Sequence, residues 1–426
     1  MIMINKKIIL ATISIIALIT SNSFAITLED AINSAKENNY EIKSQEYSYK
    51  AAKSEKLKSL GGFLPQISID INNGSRKTKI ADNPQINNDL DSKTFTASQN
   101  LFNGMADISE LKKANSILKR EKAIKDSKIQ QVTLNVARSY LDILKYKKLL
   151  KIGKDNLKSQ KDLLYYVTRK FKVKDATKSE IAKAKADFIK AKNDQIANQN
   201  NLNLAIASFN RHTGIDFKSS GNLEEVKEEA QEYKEIDDLF KIALANNPEV
   251  RAAKYGFIAS KHIANASKSA LSPKVTLNFS TSEQQNSLYL NNQQERDTSV
   301  YLNVNVPIFN SGQNYFDIAS TSNNRKKEKY NYEAIKRQIQ NSIIEYSNKK
   351  RNYESSYKSA KELEKANKIY LRTLRQEEKF GTKSIIELLE AKQNLYTSQV
   401  EVTGLYYDKI YSGFELDALL GKLIQK

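Results

Sequence analysis

The chain has 426 residues, carries 68 lysines and arginines against 49 acids for a formal charge of +19, and contains no cysteine. Without thiols it can hold neither disulfide staples nor a thiolate metal site, and an acylated amino-terminal cysteine is excluded as well. The two histidines, His212 and His262, stand apart, and neither a Walker A run nor a glycine-rich strand-to-helix turn is present, so the common metal and nucleotide chemistries have no motif here and no cofactor is expected.

At the amino terminus, Lys6 and Lys7 precede an apolar run from Ile8 to Thr20, and Ser23-Phe24-Ala25 offers the small residues of a cleavage site. Residues 1–25 therefore read as a cleaved signal peptide, which leaves 401 residues (426 − 25) with a charge of +17 (19 − 2). Export leaves the periplasm, the exterior or an outer-membrane β-barrel as destinations. The lysines are spread along helical faces, so the basic balance reads as a solvated surface, and no nucleic-acid partner is expected.

Next comes a duplication. The run Asp30 to Ile42 returns at Asp238 to Val250 with an offset of 208, and Leu64-Pro65-Gln66-Ile67-Ser68-Ile69 returns as Ser272-Pro273-Lys274-Val275-Thr276-Leu277 at the same offset. Leu101-Phe102-Asn103 returns as Ile308-Phe309-Asn310, and Glu180, Ala184 and Phe188 meet Glu387, Ala391 and Leu395, at an offset of 207. A period near 200 is a whole structural half, longer than any solenoid repeat. The first repeat is placed at 26–214, a linker at 215–235 and the second repeat at 236–426.

Each half reads in the same order. A first helix, about 27–61 and again about 236–271, leads to strands predicted at about 64–73 and 93–102, then 273–281 and 298–309. Ile67, Ile69 and Ile71 alternate with Ser68, Asp70 and Asn72, and Val275, Leu277 and Phe279 with Thr276, Asn278 and Ser280, the pattern of strands with one apolar face. Polar loops are predicted at about 73–93 and 281–298. Long helices then run to about 172 and 379, and after a second break return helices reach about 211 and 423. No proline interrupts the chain between Pro84 and Pro248 or after Pro307, and roughly 65 helical residues would reach about 100 Å.

Four strands leave two open edges, and the smallest usual membrane barrel needs eight, so closure calls for several chains; three would give twelve strands. The helices carry narrow stripes, Leu134, Ala137, Leu141 and Leu144 in one half and Ile385, Leu388, Leu395 and Val402 in the other, that suit a coiled-coil wall. An exported trimeric coiled-coil structural or adhesin protein is the alternative, though such a protein would usually keep its strands at one end of the chain.

Over nearly its whole mature length the chain resembles the outer membrane efflux protein family, the TolC family. The resemblance rests on the duplication, on Phe63-Leu64-Pro65 and Leu271-Ser272-Pro273 before the strands, on Val306 to Gly312, and on Phe380-Gly381-Thr382-Lys383-Ser384-Ile385-Ile386-Glu387-Leu388-Leu389-Glu390-Ala391. It implies a mixed α/β membrane protein: a homotrimer whose twelve-stranded outer-membrane barrel sits in lipid and continues as a helical coiled-coil periplasmic tunnel closing at its tip. A periplasmic membrane-fusion adaptor and an inner-membrane pump driven by ATP or protons are the implied partners. Such a chain is a conduit for efflux or type I secretion, not an enzyme.

Function is then expected at the second break of each half. Glu387 and Glu390 lie three apart at a helix start, share a face, and in a trimer would ring one axis. Both match the family's acidic aperture. Ser384 to Glu387 and Thr177 to Glu180 also have capping-box spacing, so a helix-terminating role competes for Glu387 and Glu180. By resemblance Lys383 is a tip latch across subunits with Ser179 and Glu180 as partners; lysine replaces the arginine of the best-known member and lacks its bidentate fork. Adaptor docking is expected at Phe171 and Thr177 and at Phe380, Gly381, Thr382 and Ser384.

Overall fold

The structure, a computed structural model, describes residues 25–79, 86–226, 235–287 and 290–423, so all of the expected signal peptide but Ala25, and residues 227–234 of the expected linker, lie outside it. The first half runs α1 (Leu28–Asn38), α2 (Tyr40–Leu60), β1 (Gln66–Thr78), β2 (Ile86–Phe102), α3 (Ala106–Lys172) and α4 (Lys178–Thr213). The second repeats it as α5 (Ile236–Asn246), α6 (Pro248–Lys268), β3 (Lys274–Ser287), β4 (Leu290–Asn305), α7 (Gln313–Lys379) and α8 (Ile385–Leu419). Helices α3 and α7 have 67 residues each, which at ~1.5 Å per residue is about 100 Å. None of the helices is long and apolar enough to cross a membrane, among the described residues.

The single first helix predicted for each half is in fact two, broken at Asn39 and Asn247. Both asparagines take extended backbone, and their Oδ1 atoms accept from Glu41 N at 2.9 Å and Glu249 N at 2.9 Å, capping the next helix. Their Nδ2 groups donate to the carbonyls of His212 at 3.1 Å and Leu419 at 3.0 Å. One side chain thus starts a helix and satisfies the end of another, and periodicity alone cannot show such a break because the apolar stripe resumes after it.

The strands also exceed their predicted bounds. They form one antiparallel sheet in the order β1-β2-β3-β4, and the segments taken as polar loops continue the ladder, with Thr78 opposite Ile86 and Ser287 opposite Leu290. β4 stops at Asn305, short of the predicted 309. The alternation that marks a strand fades once both faces are polar, while the backbone ladder needs no apolar face to persist. Register places Ile67, Ile69, Ile71, Phe95, Ala97, Leu277, Phe279, Val300 and Leu302 on one face and Ser68, Asp70, Thr96, Ser98, Asn278 and Ser280 on the other.

Duplication is preserved in the backbone itself. Left-handed residues occur in pairs offset by 207: Gly104 and Ser311, Met105 and Gly312, Lys174 and Gly381, Gly214 and Gly421. The first two pairs turn strand into helix; the third turns the hairpins α3–α4 and α7–α8; the last ends each half. At Gly421 a side chain would meet the Asn246 carbonyl oxygen at 2.6 Å, so glycine is required there on two counts. Lys174, at φ 64, stands where the second half has glycine. Lys174→Gly is expected to stabilise the first hairpin by about 0.5–1 kcal/mol, the left-handed penalty less glycine's extra entropy loss, read as slower hydrogen exchange across the turn.

Large apolar side chains gather at two levels. Near the end of each half, Val132, Val136, Tyr140, Phe209 and Ala35 form one core and Ile339, Ile343, Leu416 and Ala243 its copy. In the first half the backbone of Ile26 pairs with the chain at Asn222 and Glu224, and the Tyr140 hydroxyl lies 2.7 Å from the carbonyl oxygens of Ile26 and Glu224, sharing one proton between them. Ser347, the counterpart of Tyr140, meets no such strap among the described residues, and its hydroxyl has no hydrogen-bond partner there.

Buried beside this core, His212 is held below its ordinary 6.5 by desolvation and by the neighbouring Arg211 charge. A lowered histidine stabilises the fold while neutral, so its contribution is complete above 6.5 and declines as pH falls through the lowered value. Thermal melts between neutral and acid pH should therefore fall more steeply for the parent than for His212→Leu, which copies Leu419 of the second half.

Candidate functional site at the hairpin tips

The second level of apolar packing is at the turns joining α3 to α4 and α7 to α8. Here Ile385, Leu388, Leu389 and Ala391 of α8 pack on Leu163 and Val167 of α3, Ala184 of α4, and Leu371 and Leu374 of α7. Leu389 and Val167 are fully buried. That face fixes the azimuth of α8, and with it the opposite face: Glu390 is exposed and Glu387 half-exposed. The two acids predicted to share a face do so because the leucines between them are committed to the core.

The two candidate capping boxes differ. Thr177 Oγ1 accepts from Glu180 N at 3.2 Å, and the Glu180 carboxylate accepts from Thr177 N at 2.6 Å and from its hydroxyl at 3.0 Å, so the box is complete. Ser384 Oγ accepts from Glu387 N at 3.3 Å, but no return bond forms. The Glu387 carboxylate instead lies with Oε2 3.6 Å from Lys383 Nζ, beyond hydrogen-bond reach, and that oxygen is buried without a hydrogen-bond partner. Glu180 commits one carboxylate oxygen, Oε2, to its cap; Glu387 commits neither.

Lys183, at the place in the first half that corresponds to Glu390, is likewise committed: its ammonium donates to both oxygens of the buried Asp187 at 2.9 and 3.0 Å. Ser179 is exposed on the first turn of α4. Thr382 closes its own turn, donating from Oγ1 to Glu377 O at 2.8 Å, and Gly381 takes φ 74 with open space where a side chain would project. Phe380 is 83 % and Phe171 36 % exposed, so the tip presents aromatic surface to its surroundings.

Sequence reasoning missed a buried polar tie at the tip. Glu378, with only 4 % of its side chain exposed, accepts from Lys170 Nζ at 3.0 Å and from the Tyr166 hydroxyl at 3.1 Å, joining α7 to α3. Burial alone would lower Lys170, but its hydrogen bonds to Glu378 and Tyr166 outweigh that and hold it above the usual lysine range. Its signal was spacing: Leu371, Leu374 and Glu378 follow a 3-then-4 step that marks a core position. Farther from the tip, Lys392 of α8 donates to Ser159 Oγ of α3 at 2.8 Å, and burial holds it below the usual lysine range. Among the described residues no cluster of histidine, aspartate or glutamate could hold a metal.

The arrangement has known counterparts. The sequence profile of the family described as "Outer membrane efflux protein" matches residues 31–214 and 239–422, the two halves. The chain is 22 % identical over 428 residues to outer membrane protein TolC of Vibrio cholerae, covering 96 % of this chain and 93 % of that one. It is 21 % identical to the alkaline protease secretion protein AprF of Pseudomonas aeruginosa, covering 95 % and 86 %. A solved structure of CusC superposes with a TM-score of 0.82 at 17 % identity over 92 % of each chain. The expected fold class, four strands per chain within a twelve-stranded trimeric barrel continued by a helical coiled coil, is the fold of these channels. With both halves matched in order and the whole fold shared, the chain belongs to the outer membrane efflux protein family, whose members form channels in the outer membrane.

Proposed function

We propose that this chain is the outer-membrane duct of a tripartite efflux pump or type I secretion system, a passive conduit from cell to exterior. The observation that carries this reading is the asymmetry at the tip. In the first half the acid and base are engaged within their own helix, one Glu180 oxygen by its cap and Lys183 by Asp187, while in the second Glu390 is exposed and Glu387 is half-exposed without a reciprocal cap. Threefold symmetry then sets six carboxylates around one constriction, which attracts cations and repels anions.

Lys383 is the latch of the closed tip, reaching Ser179 and Glu180 of the neighbouring subunit. The Thr177 box uses only one Glu180 oxygen, which leaves Oε1 for this contact. On opening, Lys383 falls back on Glu387, the partner it has within its own chain. A periplasmic adaptor docks on the turn surfaces at Phe171, Thr177, Phe380, Gly381, Thr382 and Ser384, and an inner-membrane pump supplies the energy. The exposure of Phe380 and Phe171 supports that docking.

The test is conductance of the purified trimer in planar bilayers. Glu387→Gln with Glu390→Gln should cut the cation-to-anion permeability ratio several-fold; an unchanged ratio removes the aperture assignment. Lys383→Glu should raise resting conductance. A Lys383→Glu trimer as tight as the parent removes the latch.

A further inference from the structure

The outward, apolar face of the sheet ends abruptly. Ile71 of β1 stands opposite Lys93 of β2, Lys93 opposite Glu283 of β3, and Glu283 opposite Arg296 of β4, so a charged row crosses the sheet one step beyond Ile69, Phe95, Thr281 and Thr298. Below it the same face is Phe279, Val300 and Leu302, and the Phe95 and Phe279 rings meet edge to face at 6.0 Å. The helices leave from the other end of the strands, after Phe102 and Asn305, so this row lies on the side away from the periplasm. Charge on a lipid-facing barrel surface is tolerated only near the interface, which puts the row at the outer headgroup level.

The row is more than a boundary. Together with Ile69, Phe95 and Thr281, the three charged side chains line a depression of about 450 Å³. Arg296 has 72 % of its side chain exposed and Glu283 39 %, and Arg296 Nη2 lies 3.4 Å from Glu283 Oε2. One bond to Glu283 orients the guanidinium and leaves its other donors outward. Lys93 is exposed on the far side of Glu283, and with strands ~4.8 Å apart the two cations stand roughly 10 Å from each other in the backbone, a gap their long side chains can close around a single anion. Further out on the same face Asp91 follows Lys93, and Lys77 stands about 20 Å beyond Ile71, so Lys93 and Arg296 are the cations of the depression. The pocket carries two cations flanking Glu283 above and is aromatic-aliphatic below.

We propose that Lys93 and Arg296 form a binding site for the phosphate of an outer-leaflet glycolipid, with its sugar and first acyl carbons resting on Phe95 and Ile69. The proposal rests on the reading of the sheet as part of an outer-membrane barrel. It names the chemistry such a lipid must have: a phosphate monoester at the headgroup, to match two cations, and apolar chains below. A neutral lipid would leave both cations unmatched, and a zwitterionic one offers only a singly charged phosphodiester already balanced by its own ammonium.

The experiment is native mass spectrometry of the detergent-solubilised trimer titrated with bisphosphorylated lipid A, its dephosphorylated form and phosphatidylethanolamine. The parent should prefer the bisphosphorylated form by about tenfold or more, and Lys93→Gln with Arg296→Gln should lose that preference while Lys58→Gln, on an exposed face of α2, keeps it. Glu283→Gln should bind as tightly or more tightly; weaker binding would indicate a metal bridge and overturn the direct contact. Equal affinity for all three lipids, or an unchanged double variant, overturns the site. A channel that still conducts but shows no phosphate preference refutes the lipid site alone, whereas a parent that forms neither trimer nor channel refutes the barrel and the site with it.

Discussion

Replacing Lys170 by methionine is expected to loosen the hairpin tip by about 3 kcal/mol, because it strands a buried carboxylate. Glu378 has two partners, and after the change it retains only the Tyr166 hydroxyl. Lys170 also reaches Asp175 Oδ2 at 3.3 Å in the turn, so its loss unties α7 and the α3–α4 turn together. The ammonium is raised above its ordinary range by these contacts, and a raised lysine contributes fully below its ordinary 10.5 and loses that contribution only as pH climbs through the raised value. The parent tip should therefore hold a constant Lys170 contribution across neutral pH. Hydrogen exchange of the segments around Val167 and Leu374 reports the effect; protection equal to the parent's would show that the tie carries no weight. Glu378→Gln, which keeps the shape and both donors' partner, should lose less than Lys170→Met.

Removal of the Phe209 ring is the second large effect. Phe209 is fully buried, 6.2 Å from the Tyr140 ring and 5.6 Å from Phe217 in an edge-to-face pair. Phe209→Ala empties that space and is expected to cost roughly 3–5 kcal/mol, the range for buried phenylalanines. Consequences should spread beyond α4, since Tyr140 holds the Ile26 and Glu224 backbones. Limited proteolysis within the segment after Gly214 should therefore quicken along with a lowered melting temperature. Phe209→Leu copies Leu416, which fills the same place in the second half, and should be milder by more than half. If both variants melt alike, ring packing is not what holds this level together.

These two sites also mark how far the sequence could be read. Alternation at Ile67 to Ile71 and at Val275 to Phe279, the repeat at offsets of 207 and 208, and the proline-free stretches were sufficient for strands, duplication and long helices. The pairing of Asn38-Asn39 with Asn246-Asn247 was legible as repetition but not as a helix break, because a cap that accepts from its own helix and donates to a distant carbonyl is a tertiary event. The extent of the strands was likewise hidden, since a ladder with two polar faces leaves no period of two. Spacing put Glu387 and Glu390 on one face; it could not tell that Ser384 would cap without a reciprocal bond while Thr177 would complete its box.

By itself, then, the sequence determined what local periodicity and repetition can encode: two equivalent halves, a sheet with one apolar face, helices of about 100 Å, and a pair of acids at one turn. Only the tertiary structure decided which charged groups the fold consumes. Glu180, Lys183, Lys170 and Glu378 are bound to partners up to 208 residues away, whereas Glu390 and one face of Glu387 are left outside the packed leucines. Spacing makes local partners available, as for Glu180 and Lys183, but whether they engage, and any long-range tie such as Lys170 to Glu378, is set by burial and by the partners that packing brings within about 3 Å.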